Sequence, residues 1–259
     1  MKASGQGFIL SMQLLTTIPI KKQVPWNENT ARAAVFSFPF VGVVIGALLM
    51  GQMYILFQTH VSPLFLALYT IFFTTVISGG LHVDGWMDIS DAILSHRDRE
   101  KKFEILKDSR VGAFAVLSLF FLFTFRFVFL YELLQNQAFF QLVFFLVVPV
   151  LARSMMALLL VSTPSATPTG MAVSFKQHMK QGDIWRVGVL FVFLMGSFFL
   201  LTSFVLILVA ASLLFLIAFR KMCMKQFGGM TGDMLGAMVE GCETWLWFVL
   251  WLLPFFVTA

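Results

Sequence analysis

VGVLFVFLMGSFFLLTSFVLILVAASLLFLIAF, residues 187–219, runs for 33 residues without an Asp, Glu, Lys or Arg. One bilayer crossing takes about 20 apolar residues, so the run is too long for one span and suits two short ones. The polar pair Thr202–Ser203 is the natural break, which predicts spans at 187–201 and 203–219. Runs of the same character stand at 33–57, 61–81, 111–134 and 137–162, and a seventh at 244–258. The composition agrees. The 259 residues are 59% hydrophobic and 12% charged, with 32 Phe and 15 Met, whereas a soluble domain is about one-quarter charged. The expectation is an all-α, polytopic integral membrane helix bundle of six to seven spans, forming a single domain over 1–259. Residues 6–20 are too short to cross and have basic flanks, which predicts a re-entrant or interfacial segment. The first apolar stretch lacks a small-residue cleavage site and runs into Lys21 and Lys22, so it does not read as a cleaved leader. Cys223 and Cys242 lack metal-ligand spacing and read as free thiols.

Positive charge tests the topology. With 21–32 (Lys21, Lys22, Arg32) set in the cytoplasm, alternation puts 82–110, 163–186 and 220–243 on the same side. Those segments hold six, three and three Lys or Arg, while the opposite loops 58–60 and 135–136 hold none. The net charge of +5 therefore follows the membrane and does not point to a nucleic-acid partner. The expected location is the cell (plasma or inner) membrane, multi-pass, with the functional loops cytoplasmic. The segment STPSATPTGMAVS, starting at Ser162, reads as a mobile loop within the one domain.

Polar chemistry concentrates in two of these loops. In GGLHVDGWMDISD (79–91), Asp84, Asp88 and Asp91 stand at i, i+4 and i+7, on one face of a helix. Carboxylates that close repel, and a divalent cation removes the conflict. Mg²⁺ is usually held by such acids together with water and substrate phosphate. The plainer alternative is a solvated helix end whose acids pair with Arg97, Arg99, Lys101 and Lys102. His82 is a candidate acid/base or phosphate contact, or a structural histidine. Asp108, Ser109 and Arg110 close the following amphipathic segment. Arg110 suits a phosphate, or else anchors topology.

The second loop, FGGMTGDMLGAMVEGCE (227–243), sets Asp233 and Glu240 seven residues apart on one face. Its glycines, with Gly229 and Thr231 among the candidate substrate contacts, would let backbone approach a phosphate or a neighbouring helix. Within the spans, Arg153 needs an internal partner or an anionic substrate group, and Arg126 is expected to pair with Glu132. Lys176 lies among basic residues that set topology or steer a polyanion.

These segments resemble the cobalamin synthase (adenosylcobinamide-GDP ribazoletransferase) family. The likeness lies in GGLHVDGWMDISDAI with RDREKKFEILKDSRVG, in GGMTGDMLGAMVEGCE, in FSFPFVGVVIGA (36–47) and in LLTTIPI (14–20). It spans nearly the whole chain. Ala92 and Ala115 stand where the family usually has Gly, and Met230 where it has a polar residue. The resemblance implies a Mg²⁺-dependent membrane enzyme. A ribose hydroxyl of α-ribazole, or of its 5′-phosphate, attacks the cobinamide-side phosphorus of adenosylcobinamide-GDP and GMP leaves. The partners so implied are the corrinoid nucleotide, α-ribazole and membrane lipid; self-association is left open. On this reading Asp84, Asp88 and Asp233 hold metal, with Asp108 and Glu240 as further ligand candidates. Asp91 is either a ligand or the base, and Arg110 and Arg153 stabilise phosphate charge. A CDP-alcohol phosphotransferase shares the logic but has a different motif spacing. A cation-coupled transporter would carry its acids nearer the midplane.

Overall fold

Gly79 and Gly80, with φ of +64° and +74°, turn the chain where a straight span would have continued. Only glycine takes that backbone freely. The helix before them, α3, and the acidic helix after them, α4, meet at 93°. The computed structural model describes residues 2–135 and 141–257. The helices of these residues are α1 Lys2–Leu15, α2 Glu28–Phe57, α3 Pro63–Ile77, α4 Leu81–Leu94, α5 Arg99–Ile105 and α6 Ala113–Gln135. They continue as α7 Phe144–Ser162, α8 Met171–Lys176, α9 Asp183–Phe199, α10 Val205–Phe227, α11 Gly232–Leu252 and α12 Pro254–Val257. Among the described residues, β pairing is confined to one parallel bridge, Ser165 with Met230.

Helix starts follow local chemistry. Asn27 accepts from the N–H groups of Asn29 and Thr30 at 3.0 and 3.1 Å, while the Thr30 hydroxyl accepts from the Asn27 N–H at 3.1 Å, a reciprocal cap that opens α2. Ser62 followed by Pro63 opens α3. Thr231 caps α11.

Among the described residues, five helices are long and apolar enough to cross a membrane, or six if the bent pair α3–α4 counts as one broken span. The all-α polytopic membrane bundle is therefore the fold. The expected break in 187–219 falls at 200–204, between α9 and α10. At 17 residues, α9 is short for a span, which accounts for the lower count. The expected span at 61–81 ends instead at Ile77, because the glycine turn intervenes. The expected span 137–162 appears as α7, its first four positions lying outside the described residues, as do residue 136 and position 258 of the seventh span. That seventh span starts not at Thr244 but at Gly232, and it takes Glu240 and Glu243 into the bundle. Residues 6–20 contribute the end of α1, one helix packed along α2.

The centre of the bundle is α7, flanked by α2 and α11. Its contact with α2 is made close by small residues, as is common between membrane helices. A Cβ at Gly42 would stand 2.7 Å from the Val150 Cα, and one at Gly46 would stand 2.8 Å from the Leu146 Cα. Backbone cannot give way there. Gly46→Leu is expected to cost about 3 kcal/mol, the upper end for overpacking, seen as a lower thermal midpoint in detergent.

Cross-links gather many helix ends at one end of the bundle. The Thr17 N–H donates to Ile77 O at 2.8 Å, and Arg220 Nη2 donates to Ser162 O at 3.1 Å. Arg32 grips the buried Asp183 through Nε and Nη2 at 2.9 and 2.6 Å, and Lys180 pairs with Glu28 at 2.7 Å. The segment expected to be a mobile loop is tied in at its start. Ala166 N donates to Met230 O at 2.9 Å, and Met230 N donates to Pro164 O at 2.8 Å.

Candidate functional site

The acids of α4 meet α11 because two glycines let the helices touch. A Cβ at Gly85 would stand 2.5 Å from Asp233 O, and one at Gly236 would stand 3.1 Å from the His82 Cα. That crossing sets Asp233, in the first turn of α11, beside the acidic face of α4. Asp84 is exposed, while Asp88, Asp91 and Asp233 are partly buried. Burial, with the charges of Asp84, Asp233 and Asp91, pushes the Asp88 carboxyl up to about 6. Four acids from segments far apart in the chain thus share one field. Gly85→Ala would wedge the crossing open against backbone; a shift of about 1 Å at such a site costs about 10²-fold in rate. The expected result is that loss of turnover with an unchanged elution profile in detergent.

Asp91 lies two turns along α4 from Asp84, about 10 Å. Its carboxylate packs on Gly112, immediately ahead of α6, where a Cβ would stand 2.1 Å from either oxygen. Asp84, Asp88, Asp91 and Arg110 line a small cleft with Gly112. Asp84 also borders a larger cavity of about 390 Å³, together with His82, Thr231 and Asp233. His82 is buried with both ring nitrogens lacking a hydrogen-bond partner. Burial, with the Arg153 guanidinium nearby, keeps that imidazole neutral. The Thr231 hydroxyl lies 3.3 Å from Asp233 Oδ2 and donates to it.

Other candidates stand apart from this group. Glu240 is buried in the bundle, where Arg126 Nη2 reaches its carboxylate at 2.7 Å, so it is committed to an ion pair and does not join the acids of α4. Arg153 is buried and paired with Glu243, which leaves it no substrate-facing charge. The expected Arg126–Glu132 pair does not form: Arg126 turns inward, and Glu132 accepts instead from Trp251 Nε1. Lys176 Nζ donates to Leu160 O and Val161 O at 2.9 and 2.8 Å and so satisfies the end of α7. Gly229 serves backbone packing: a Cβ there would stand 2.6 Å from Pro164 O. Asp108 faces away with Arg97 and Lys101, and Arg110 holds it in an ion pair of 2.6 Å that pulls its carboxyl down to about 2. Ser109 is exposed beside them. Sequence reasoning missed Lys107, Thr167 and Thr169, which line the cavity, because only tertiary packing brings α5 and the 164–170 segment over α4.

Among the described residues, no three His, Cys, Asp or Glu side chains converge closely enough to hold a metal unaided. Mg²⁺ seldom has an all-protein cage, and the raised Asp88 carboxyl marks a charge conflict that a cation shared with substrate phosphate would relieve.

Fold and site together define a multi-pass membrane protein with an acidic cleft where two helices cross. A family model described as cobalamin-5-phosphate synthase matches residues 7–251. The adenosylcobinamide-GDP ribazoletransferase of Geobacillus sp. (strain WCH70) is 44% identical, with 99% of each chain covered. Proteins of the same name from Halalkalibacterium halodurans and Clostridioides difficile are 40% and 35% identical, over 100% and 96% of this chain. The chain belongs to the cobalamin-5-phosphate synthase family. No solved structure matches it.

Proposed function

We propose that the protein joins adenosylcobinamide-GDP to α-ribazole, or to α-ribazole 5′-phosphate, in the last steps of cobalamin biosynthesis. The observation that carries this reading is the meeting of Asp84 and Asp88 with Asp233 at the Gly85 crossing, inside a chain that the family model matches over 7–251. Phosphoryl transfer asks the protein for positioning and charge neutralisation more than for covalent chemistry. A ribose hydroxyl oxygen forms a bond to the cobinamide-side phosphorus. The bond from that phosphorus to the bridging pyrophosphate oxygen breaks, and GMP leaves with the electron pair. The hydroxyl proton passes to the α4 carboxylates.

Asp84, Asp88 and Asp233 would hold Mg²⁺, which supplies neutralisation of pyrophosphate charge when bound. Asp91 lines the cleft and not the 390 Å³ cavity, which supports a role toward the cation over one toward the attacking hydroxyl. Arg110 lies at the same cleft, ready to leave Asp108 for a phosphate. His82 is placed to hydrogen-bond a substrate group from the cavity wall. The protein sits in the cell membrane with α4, α5 and α8 on the cytoplasmic side, as the distribution of Lys and Arg favours.

The test is direct. Purified protein is incubated with both substrates and Mg²⁺, and GMP and cobalamin are measured. A chelator is expected to abolish product, and excess Mg²⁺ to restore it. Full turnover in chelator would remove the metal; no product under any condition would remove the assigned reaction.

A further inference from the structure

The cavity of about 390 Å³ is chemically two-ended. Its body is walled by Leu14 and Leu15 of α1, Phe38 of α2, Phe103 and Leu106 of α5, and Phe175 of α8. Its polar groups collect at the α4–α11 end, where His82, Asp84, Thr231 and Asp233 stand, while Lys107 and Thr169 line it as well. The buried His82 has two unpartnered nitrogens at that end. Binding sites for small organic molecules begin at about 300 Å³, so a nucleoside fits and a corrin macrocycle does not.

We propose that this cavity holds the acceptor nucleoside by its base, with the ribose toward His82 and Asp84. This rests on the function proposed above and adds which substrate goes where. The wall chemistry selects the base. Guanine carries several donors and acceptors along its edge, and burying them against Leu and Phe without partners costs about 1–3 kcal/mol apiece. A methylated benzimidazole, the base of α-ribazole, has no N–H donor once glycosylated and one free ring nitrogen, so an apolar wall suits it. Asp84 and Asp233 both line the polar end of the cavity, so a ribose hydroxyl there would stand beside the acids proposed to hold the cation. Lys107 is the cation that a 5′-phosphate on the nucleoside would meet.

Ala172, buried in the cavity wall on α8, is the place to fill it. Ala172→Phe is expected to raise KM for α-ribazole at least 10-fold while KM for adenosylcobinamide-GDP stays within 2-fold. Leu106→Ala is the second variant: it enlarges the cavity and is expected to shift kcat/KM toward nucleosides with larger benzimidazole bases. Lys107→Met should raise KM for α-ribazole 5′-phosphate and leave that for α-ribazole unchanged. Thermal-shift measurements on the full protein without corrinoid separate this proposal from the reaction itself. Stabilisation by α-ribazole that Ala172→Phe removes supports the assignment even if no product forms. Stabilisation by α-ribazole that Ala172→Phe leaves intact, or a corrinoid KM that rises with Ala172→Phe while the nucleoside KM does not, would overturn it.

Discussion

Asp88→Asn is expected to lower turnover by about 10³-fold, the scale seen when one preorganised electrostatic group is removed, in a protein that inserts and purifies as the wild type does. Asp88 is half-buried and shares the field of Asp84, Asp91 and Asp233, which with burial pushes its carboxyl up to about 6. The substitution keeps shape and removes one negative charge, so affinity for a divalent cation falls with the rate. Stability should move the other way in chelator. A carboxyl whose folded value is raised loses stability as pH climbs from the ordinary carboxylate range through 6, because ionisation is disfavoured in the fold. Asn carries no such cost, so at pH 7 without metal the variant should melt no lower than wild type. GMP release at the wild-type rate would show that Asp88 does not hold the cation. A large fall in melting temperature would show that its role is structural.

The second large effect lies in the bundle. Arg126, Glu240, Glu243 and Arg153 form a buried network of two positive and two negative charges that joins α11 to α6 and α7. Arg126 Nε also donates to the Thr244 hydroxyl at 2.8 Å, and its Nη2 donates to Glu240 O at 2.7 Å. Removing one member of a buried pair strands its partner, at a cost of about 3–5 kcal/mol. Arg126→Met should therefore destabilise the protein by about that much, read as early loss of monodisperse protein on heating in detergent. The paired change Arg126→Met with Glu240→Leu leaves Arg153 facing Glu243, in balance, and should recover most of the loss. A double variant as unstable as the single one would mean that packing, not charge, dominates there. Activity should follow stability for these variants, because the network anchors the same helix that carries Asp233.

Much of this protein was legible in its sequence because hydrophobic length reports directly on a bilayer. The uncharged run 187–219, its break near Thr202 and the edges of α2 and α6 fell within a few residues of expectation. The i, i+4, i+7 acids were legible as well, since helical periodicity alone puts them on one face. A helix beginning near Asp233, with Asp233 and Glu240 on one face, was legible too, but its continuity with the seventh span was not. Glu240 and Glu243 kept it out of the apolar run, and a single chain read in order does not show that Arg126 and Arg153, about 90 to 117 residues away, neutralise them. The same blindness made Arg153 look like a substrate contact and Lys176 like a free cation.

The sequence by itself thus determined that the chain is a membrane bundle, that its acids cluster beyond α3, and which family it belongs to. Only the tertiary structure decided which charges remain open to a ligand. Gly79 and Gly80 swing α4 out of line with α3 by 93°, Gly85 admits Asp233, and the apolar cavity closes around His82. Each of these is a matter of backbone approach and charge pairing between distant segments. Local periodicity carries no information about which distant residue will arrive.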